Sequence, residues 1–198
     1  TSSFSPGPAK LVHIKNCTFA NNVAGYAYNY ASTTYVHNKY GGSLYFGGYS
    51  SNEVIIANTV FVNSIVAKGG AIFIARTRNT SISNCIFKQN QAKFGEGGAI
   101  RFEDINGVIM IENTTFDENV ALKDHGGSLY ARIWYKAKNA HFAIHNSTLI
   151  NNFAQKYGGA MYIQGHESHK LFIAVQLENL VFKNNSAALS GGGIYSDF

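Results

Sequence analysis

The sequence predicts an all-β fold, a single-stranded parallel β-helix (β-solenoid) of about six coils with three short strands each. Three observations lead there. The chain is rich in glycine and aromatic residues and poor in charge, two short motifs alternate at near-constant spacing, and the apolar runs between them have the length of strands.

Composition comes first because it excludes most alternatives. Of 198 residues, 45% are hydrophobic and 14% charged, with 20 Gly, 2 Pro, 14 Phe and 12 Tyr. Such a length suits one domain, and the apolar fraction sustains a continuous core. A helical bundle would need more Ala, Leu, Glu and Lys. A disordered chain would lack the aromatic and β-branched residues. No apolar run approaches the roughly 18 residues of a spanning helix, so no membrane insertion is expected. No basic segment followed by an apolar one opens the chain, which starts at a mature-looking Thr1-Ser2-Ser3. The formal net charge of +5 is spread thinly, which argues against a nucleic-acid partner.

The first motif, Asn-x-x-Phe-x-x-Asn-x-Ala, occurs as Asn16-Phe19-Asn22-Ala24, Asn84-Phe87-Asn90-Ala92, Asn113-Phe116-Asn119-Ala121 and Asn179-Phe182-Asn185-Ala187. Degenerate copies begin at Asn58 and Asn146. The second motif, Gly-Gly-small-aliphatic-aromatic, follows each copy, and its second glycines fall at 42, 70, 98, 127, 159 and 192, in steps of 28, 28, 29, 32 and 33. Each period holds three apolar runs, as in Ala99–Phe102, Val108–Ile111 and Thr114–Phe116, separated by Gly, Asn and Asp. Strands that pair only with their counterparts one period away form a parallel β-helix. At about 4.8 Å per strand, six coils make a rod roughly 29 Å long. We place an extended N-terminal arm and first strand at residues 1–15 and the repeat domain at 16–198.

Alternation sorts the side chains. Burying Phe19, Phe61, Phe87, Phe116, Leu149 and Phe182 turns Asn16 and its equivalents outward. In the glycine motif Leu44, Ile72, Ile100, Leu129, Met161 and Ile194 point in, and Tyr45, Phe73, Arg101, Tyr130, Tyr162 and Tyr195 form an outward surface column. The second Asn of each copy sits at a corner, where its amide bonds to backbone and to the Asn of the next coil.

These paired motifs resemble the Phe-x-x-Asn and Gly-Gly-Ala-Ile repeats of the chlamydial polymorphic outer membrane proteins and related adhesin-like surface proteins. The resemblance covers residues 16–195. It implies a right-handed parallel β-helix exposed on a cell surface, acting in adhesion or as a structural passenger. Nothing in this sequence corresponds to the C-terminal membrane barrel of those bacterial proteins.

Five Asn-x-Ser/Thr sequons, at Asn16, Asn79, Asn113, Asn146 and Asn184, mark candidate glycosylation sites of a secreted eukaryotic protein. Cys17 and Cys85 fall at one repeat position two coils apart, beyond the roughly 7 Å a disulfide tolerates, and are expected to be buried free thiols. Neither they nor His166-Glu167-Ser168-His169 has the company a metal site needs, so no metal or cofactor is expected. The four aspartates, at 104, 117, 124 and 197, share no repeat phase. A polysaccharide lyase or hydrolase would require converging carboxylates, and the nearest constellation is Lys68, Glu96 and His125 before successive glycine pairs.

The insertion between Ala24 and Gly41 carries Tyr26, Tyr28, Tyr30 and Tyr35, candidate contacts for glycan or protein alongside Tyr45, Tyr130, Tyr162 and Tyr195. The last copy ends right after its glycine motif, and Phe4, Pro6 and Pro8 lie on a polar arm able to reach a neighbouring subunit. The leading expectation is a non-enzymatic, glycosylated, extracellular structural protein whose copies stack head to tail into a fibre. A surface adhesion module reading glycans or proteins through its tyrosines is the alternative, and a polysaccharide-degrading enzyme the second.

Overall fold

The computed structural model describes residues 10–24, 40–47, 52–133, 139–165 and 172–197. Every described strand pairs in parallel with the strand one period before or after it, and four sheets run the length of the molecule. The entry sheet holds Lys10–Lys15, Asn52–Ala57, Asn79–Ser83, Val108–Glu112, Asn139–His145 and Phe172–Glu178. The phenylalanine sheet holds Thr18–Ala20, Val60–Val62, Ile86–Lys88, Thr115–Asp117, Thr148–Ile150 and Val181–Lys183. The glycine sheet holds Leu44–Gly47, Ile72–Ala75, Ile100–Ile105, Leu129–Ile133, Met161–Gln164 and Ile194–Asp197. This is the parallel β-solenoid expected from the repeat, with sheets six strands deep.

The expectation of three strands per coil needs a correction. A fourth sheet is formed by the two-residue strands Ile65–Val66, Gln91–Ala92, Val120–Ala121, Phe153–Ala154 and Ser186–Ala187, with Val23 bridging to Ile65 in the first rung. Two residues are too few to show an alternation of faces, so this strand leaves no periodic signature. Lys10–Lys15 also pairs along its whole length with Asn52–Ala57 and is a rung of the entry sheet.

The corners explain the motifs. The first Asn of each copy (Asn16, Asn58, Asn84, Asn113, Asn146, Asn179) is in the left-handed region at φ 48–53°. So is the residue before the second Asn (Asn21, Asn63, Gln89, Glu118, Asn151, Asn184), at φ 53–56°. Asn tolerates this conformation better than other residues with a Cβ, because its short amide bonds locally. A third turn falls on the first glycine of each pair, for example Gly97 at φ +70°. Its neighbour Gly98 is constrained differently, since a Cβ there would lie 1.9 Å from the carbonyl oxygen of Gly127 in the next rung.

Inside, Phe19, Phe61, Phe87 and Phe116 stack nearly face to face at 4.8–5.0 Å between ring centroids. Leu149 and Phe182 continue that column in register. Ile72, Ile100, Leu129 and Met161 oppose it, all fully buried. Burying each such side chain contributes roughly 1.5–3 kcal/mol.

Beside this apolar column runs the expected amide ladder. The buried Asn90, Asn119 and Asn152 each donate through Nδ2 to Oδ1 of the next Asn (2.9–3.1 Å) and to the carbonyl of a phenylalanine-sheet residue in an earlier rung (2.9–3.1 Å). Each Oδ1 also accepts the backbone N–H of the preceding member, so the amides are satisfied without water. Ser64 interrupts the ladder, and there Asn22 bonds instead to Ser43, which bonds to Ser64.

Cys17 and Cys85 are both free, with Thr59 between them in the same column. Cys85 is buried as expected, whereas Cys17 is only half-buried because it lies in the first described rung.

Candidate functional site

The outer face of the glycine sheet carries two side-chain columns. One is Tyr45, Phe73, Arg101, Tyr130, Tyr162 and Tyr195, held in register by the strand pairing. The other, two residues further along each strand, is Gly47, Ala75, Glu103, Arg132, Gln164 and Asp197.

The first column faces outward as alternation requires, yet it is not the surface column expected. Phe73, Arg101, Tyr130 and Tyr162 are 3–4% exposed, Tyr195 is half-buried, and only Tyr45, at 57%, is open to solvent. The rings cover one another: Tyr45–Phe73, Tyr130–Tyr162 and Tyr162–Tyr195 stack at 5.4–5.5 Å, and Arg101 closes the gap with its guanidinium 4.7 Å from the Tyr130 ring centroid and 5.9 Å from that of Phe73. The residue before each glycine pair then folds over the column. Tyr40 lies 4.3 Å from Phe73, His125 4.5 Å from Tyr162 and Tyr157 4.7 Å from Tyr195. Burial pushes the Tyr130 hydroxyl well above the usual phenolic range and Tyr162 up to about 12, so both remain donors, to Gln164 (2.6 Å) and Asp197 (3.3 Å).

The anticipated Lys68, Glu96 and His125 ladder forms only in part. Lys68 lies 3.9 Å from Glu96, but the main partner of Glu96 is Arg101, and His125 turns to Asp124 at 3.0 Å.

A bulge builds the rest of the site. Pairing slips between Phe102 and Ile105, so that Glu103 and Asp104 together oppose Arg132 alone. Arg132 Nη2 donates to Asp104 Oδ1 at 2.8 Å and contacts Glu103. On the other side Arg76 donates through Nε to Asp104 Oδ2 at 3.1 Å, and its Nη2 lies 3.0 Å from the same oxygen in the ion pair. Arg101 donates through Nε to Glu103 at 2.6 Å and through Nη1 to Glu96. Desolvation, helped by the nearby Arg101, holds Arg132 below the usual guanidinium value, and it stays cationic at neutral pH.

These groups border a cleft of about 570 Å³. Its depth comes from Gly47 and Ala75, where the second column has almost no side chain, and its open wall is Tyr45. Both carboxylates in it accept hydrogen bonds from guanidinium groups, the arrangement of an ion-pair network and not of an acid and a base separated around a scissile bond. Among the described residues no group of three His, Cys, Asp or Glu side chains is placed to hold a metal ion. No helix among them is long and apolar enough to cross a membrane.

Sequence reasoning missed Arg76, Glu103, Asp104 and Arg132. The available signal was the fifth position after each second glycine, which runs Gly47, Ala75, Glu103, Arg132, Gln164, Asp197.

Of the other expected site residues, Asn16, Asn113, Asn146 and Asn184 stand exposed on left-handed turns, while Asn79 is half-buried within a strand of the entry sheet. Tyr26, Tyr28, Tyr30, Tyr35, Phe4, Pro6, Pro8 and the His166–His169 segment lie outside the described residues.

The family model of the Chlamydia polymorphic membrane protein repeat matches residues 179–197. The probable autotransporter YfaL of Escherichia coli (strain K12) is 27% identical over 88% of this chain and 15% of its own length. The metabotropic glutamate receptor-like protein R of Dictyostelium discoideum is 25% identical over 78% of this chain and 8% of its own. The chain thus spans less than a fifth of either relative. No solved structure matches. Fold and comparisons agree on the class: a parallel β-solenoid built of repeats like those of the chlamydial polymorphic membrane proteins.

Proposed function

We propose that this chain is the non-enzymatic body of a protein displayed on or released from the cell surface, where it serves as a rigid spacer and adhesive module. The observation that carries the reading is the cleft on the glycine sheet, a shaped recess with one exposed tyrosine wall and a charged floor, set on a scaffold of stacked rungs. Likeness to an autotransporter and to a membrane-protein repeat supports the surface placement. Antibody labelling of intact cells tests this placement: labelling removed by external protease is the expected result, and labelling only after permeabilisation overturns it. Adhesion is tested by coating a surface with the purified chain and counting attached cells, where attachment no higher than to an albumin coat counts against it.

In the same reading Asn16, Asn113, Asn146 and Asn184 carry N-glycans in a eukaryotic host, since each projects from an exposed turn, and Asn79 is the poorest acceptor of the five. An unchanged intact mass after enzymatic deglycosylation of native material refutes it.

Self-association into a fibre is a second part of the reading, since parallel rungs can continue from one copy into the next. Light scattering across a concentration series gives a rising mass if copies stack and a constant monomer mass if they do not.

A further inference from the structure

We infer that the cleft binds an acidic oligosaccharide, with Tyr45 as the stacking wall and Arg132 as an anchor for its anionic group. The inference rests on the adhesive reading above and gives it a ligand class.

Charge sets the sign of the ligand. Lys68, Arg76, Arg101 and Arg132 line the cleft against Glu103 and Asp104, and counting Glu96 beneath Arg101 still leaves an excess of positive charge. A neutral sugar would leave that excess uncompensated, whereas an anionic one is attracted and held.

The anchor follows from geometry. Arg132 spends only Nη2 on Asp104 and Glu103, and its Nε and Nη1 make no hydrogen bond among the described residues. Those hydrogens lie in one plane on a side chain that is 40% exposed and already fixed by two carboxylates. Nε–H and Nη1–H diverge, because Cδ fills the edge between them, so each offers a single charge-assisted hydrogen bond to an anion, and the prior ordering of the side chain lowers the entropic cost of capture.

The neutral part of the ligand is read by Tyr45. Its ring is stacked on Phe73 at 18° between planes and lies across Gly47, where a Cβ would meet the phenolic oxygen at 2.3 Å. Held flat in this way, with 57% of its surface open, the ring offers an apolar platform for the C–H face of a pyranose. The cleft volume of about 570 Å³ suits a short oligosaccharide segment and not a single small ion.

Isothermal titration of the full chain with oligogalacturonate and oligoglucuronate, against the same oligosaccharides with carboxylates reduced to alcohols, tests the inference without any variant. Binding of the acids with loss on reduction is expected; equal binding of the reduced forms overturns it. Sulfated heparin fragments form a third arm that tells carboxylate from sulfate as the group held, and failure of both the uronates and the heparin fragments to bind overturns the inference.

Tyr45→Ala and Arg132→Met are each expected to weaken uronate binding by about tenfold or more, the second because it removes the charge and the free Nε–H and Nη1–H donors. Melting curves confirm that each variant folds, and exposed Tyr45 is the safer of the two. Cell attachment that survives in a folded Tyr45→Ala chain, with uronate binding unchanged, defeats the cleft and leaves adhesion standing. Absence of both attachment and uronate binding defeats both.

Discussion

Asp104 and Arg76 occupy the same corner in successive rungs, both in the left-handed region at φ 54° and 55°, and are joined at one carboxylate oxygen by a hydrogen bond of 3.1 Å and an ion-pair contact of 3.0 Å. Asp104 therefore answers two demands at once, a backbone that favours Asn or Asp and a charge that binds Arg76 and Arg132. Its burial to 7% exposure makes both demands energetic.

The two demands separate on substitution. Asp104→Asn keeps the turn and loses the charge, and is expected to lower unfolding free energy by roughly 1–2 kcal/mol, the arginines being partly solvated. Asp104→Val loses both, and β-branching in a left-handed turn raises the loss to roughly 3 kcal/mol or more. Urea denaturation of the two variants side by side checks the order, and equal losses would show that charge alone matters.

Asn119 gives a sharper case. Its side chain makes two donor bonds and accepts from both the backbone and the amide of Asn90, at zero exposure. Asn119→Ala leaves several buried polar groups without partners and is expected to cost roughly 3 kcal/mol or more, while Asn185→Ala, at a half-buried site but still freeing two donors of Asn152, costs less, roughly 1–2 kcal/mol. The comparison of urea midpoints is decisive, because the two sites share a repeat position and Asn185 is less buried and makes one donor bond fewer.

The second glycine of each pair yields a similar contrast. At Gly98 an added Cβ would sit 1.9 Å from the carbonyl oxygen of Gly127, so Gly98→Ala must push two rungs apart, a loss of roughly 3 kcal/mol or more. At Gly192 the nearest atom is 3.1 Å away, and Gly192→Ala is expected to change stability by about 1 kcal/mol at most. Thermal melts of both variants in this chain report the difference.

The thiols are also distinguishable. Burial pushes Cys85 above the usual thiol range and leaves it 1% exposed, while Cys17 is half-buried. A thiol-reactive dye should label one cysteine of the native protein promptly and the second only in denaturant, with tryptic mapping placing the fast site at Cys17. Rapid native labelling of Cys85 would contradict its packing.

Much of this architecture was legible in the residues. Identical side chains at identical phase pinned the phenylalanine column and the amide ladder, because stacking demands that Phe61 meet Phe87 and Asn90 meet Asn119. Alternation also told the direction of Tyr130 and Tyr162 but not their exposure. Direction is a property of one strand, whereas burial depended on His125 and neighbouring rings folding over the face. The two-residue strands carried no period to read. The cleft was hidden for a third reason: it depends on an irregularity, the pairing slip at Glu103 and Asp104, and a search for what repeats passes over what breaks the repeat.

The pairing of every strand with its counterpart one turn away gives the rod a mechanical direction. Hydrogen bonds between rungs run along the axis, so tension on a chain end strips one turn completely before loading the next. Each released turn of 28–33 residues frees roughly 90–120 Å of extended chain. Under load such a rod behaves as a reel, lengthening in near-equal steps while the turns still wound keep their shape.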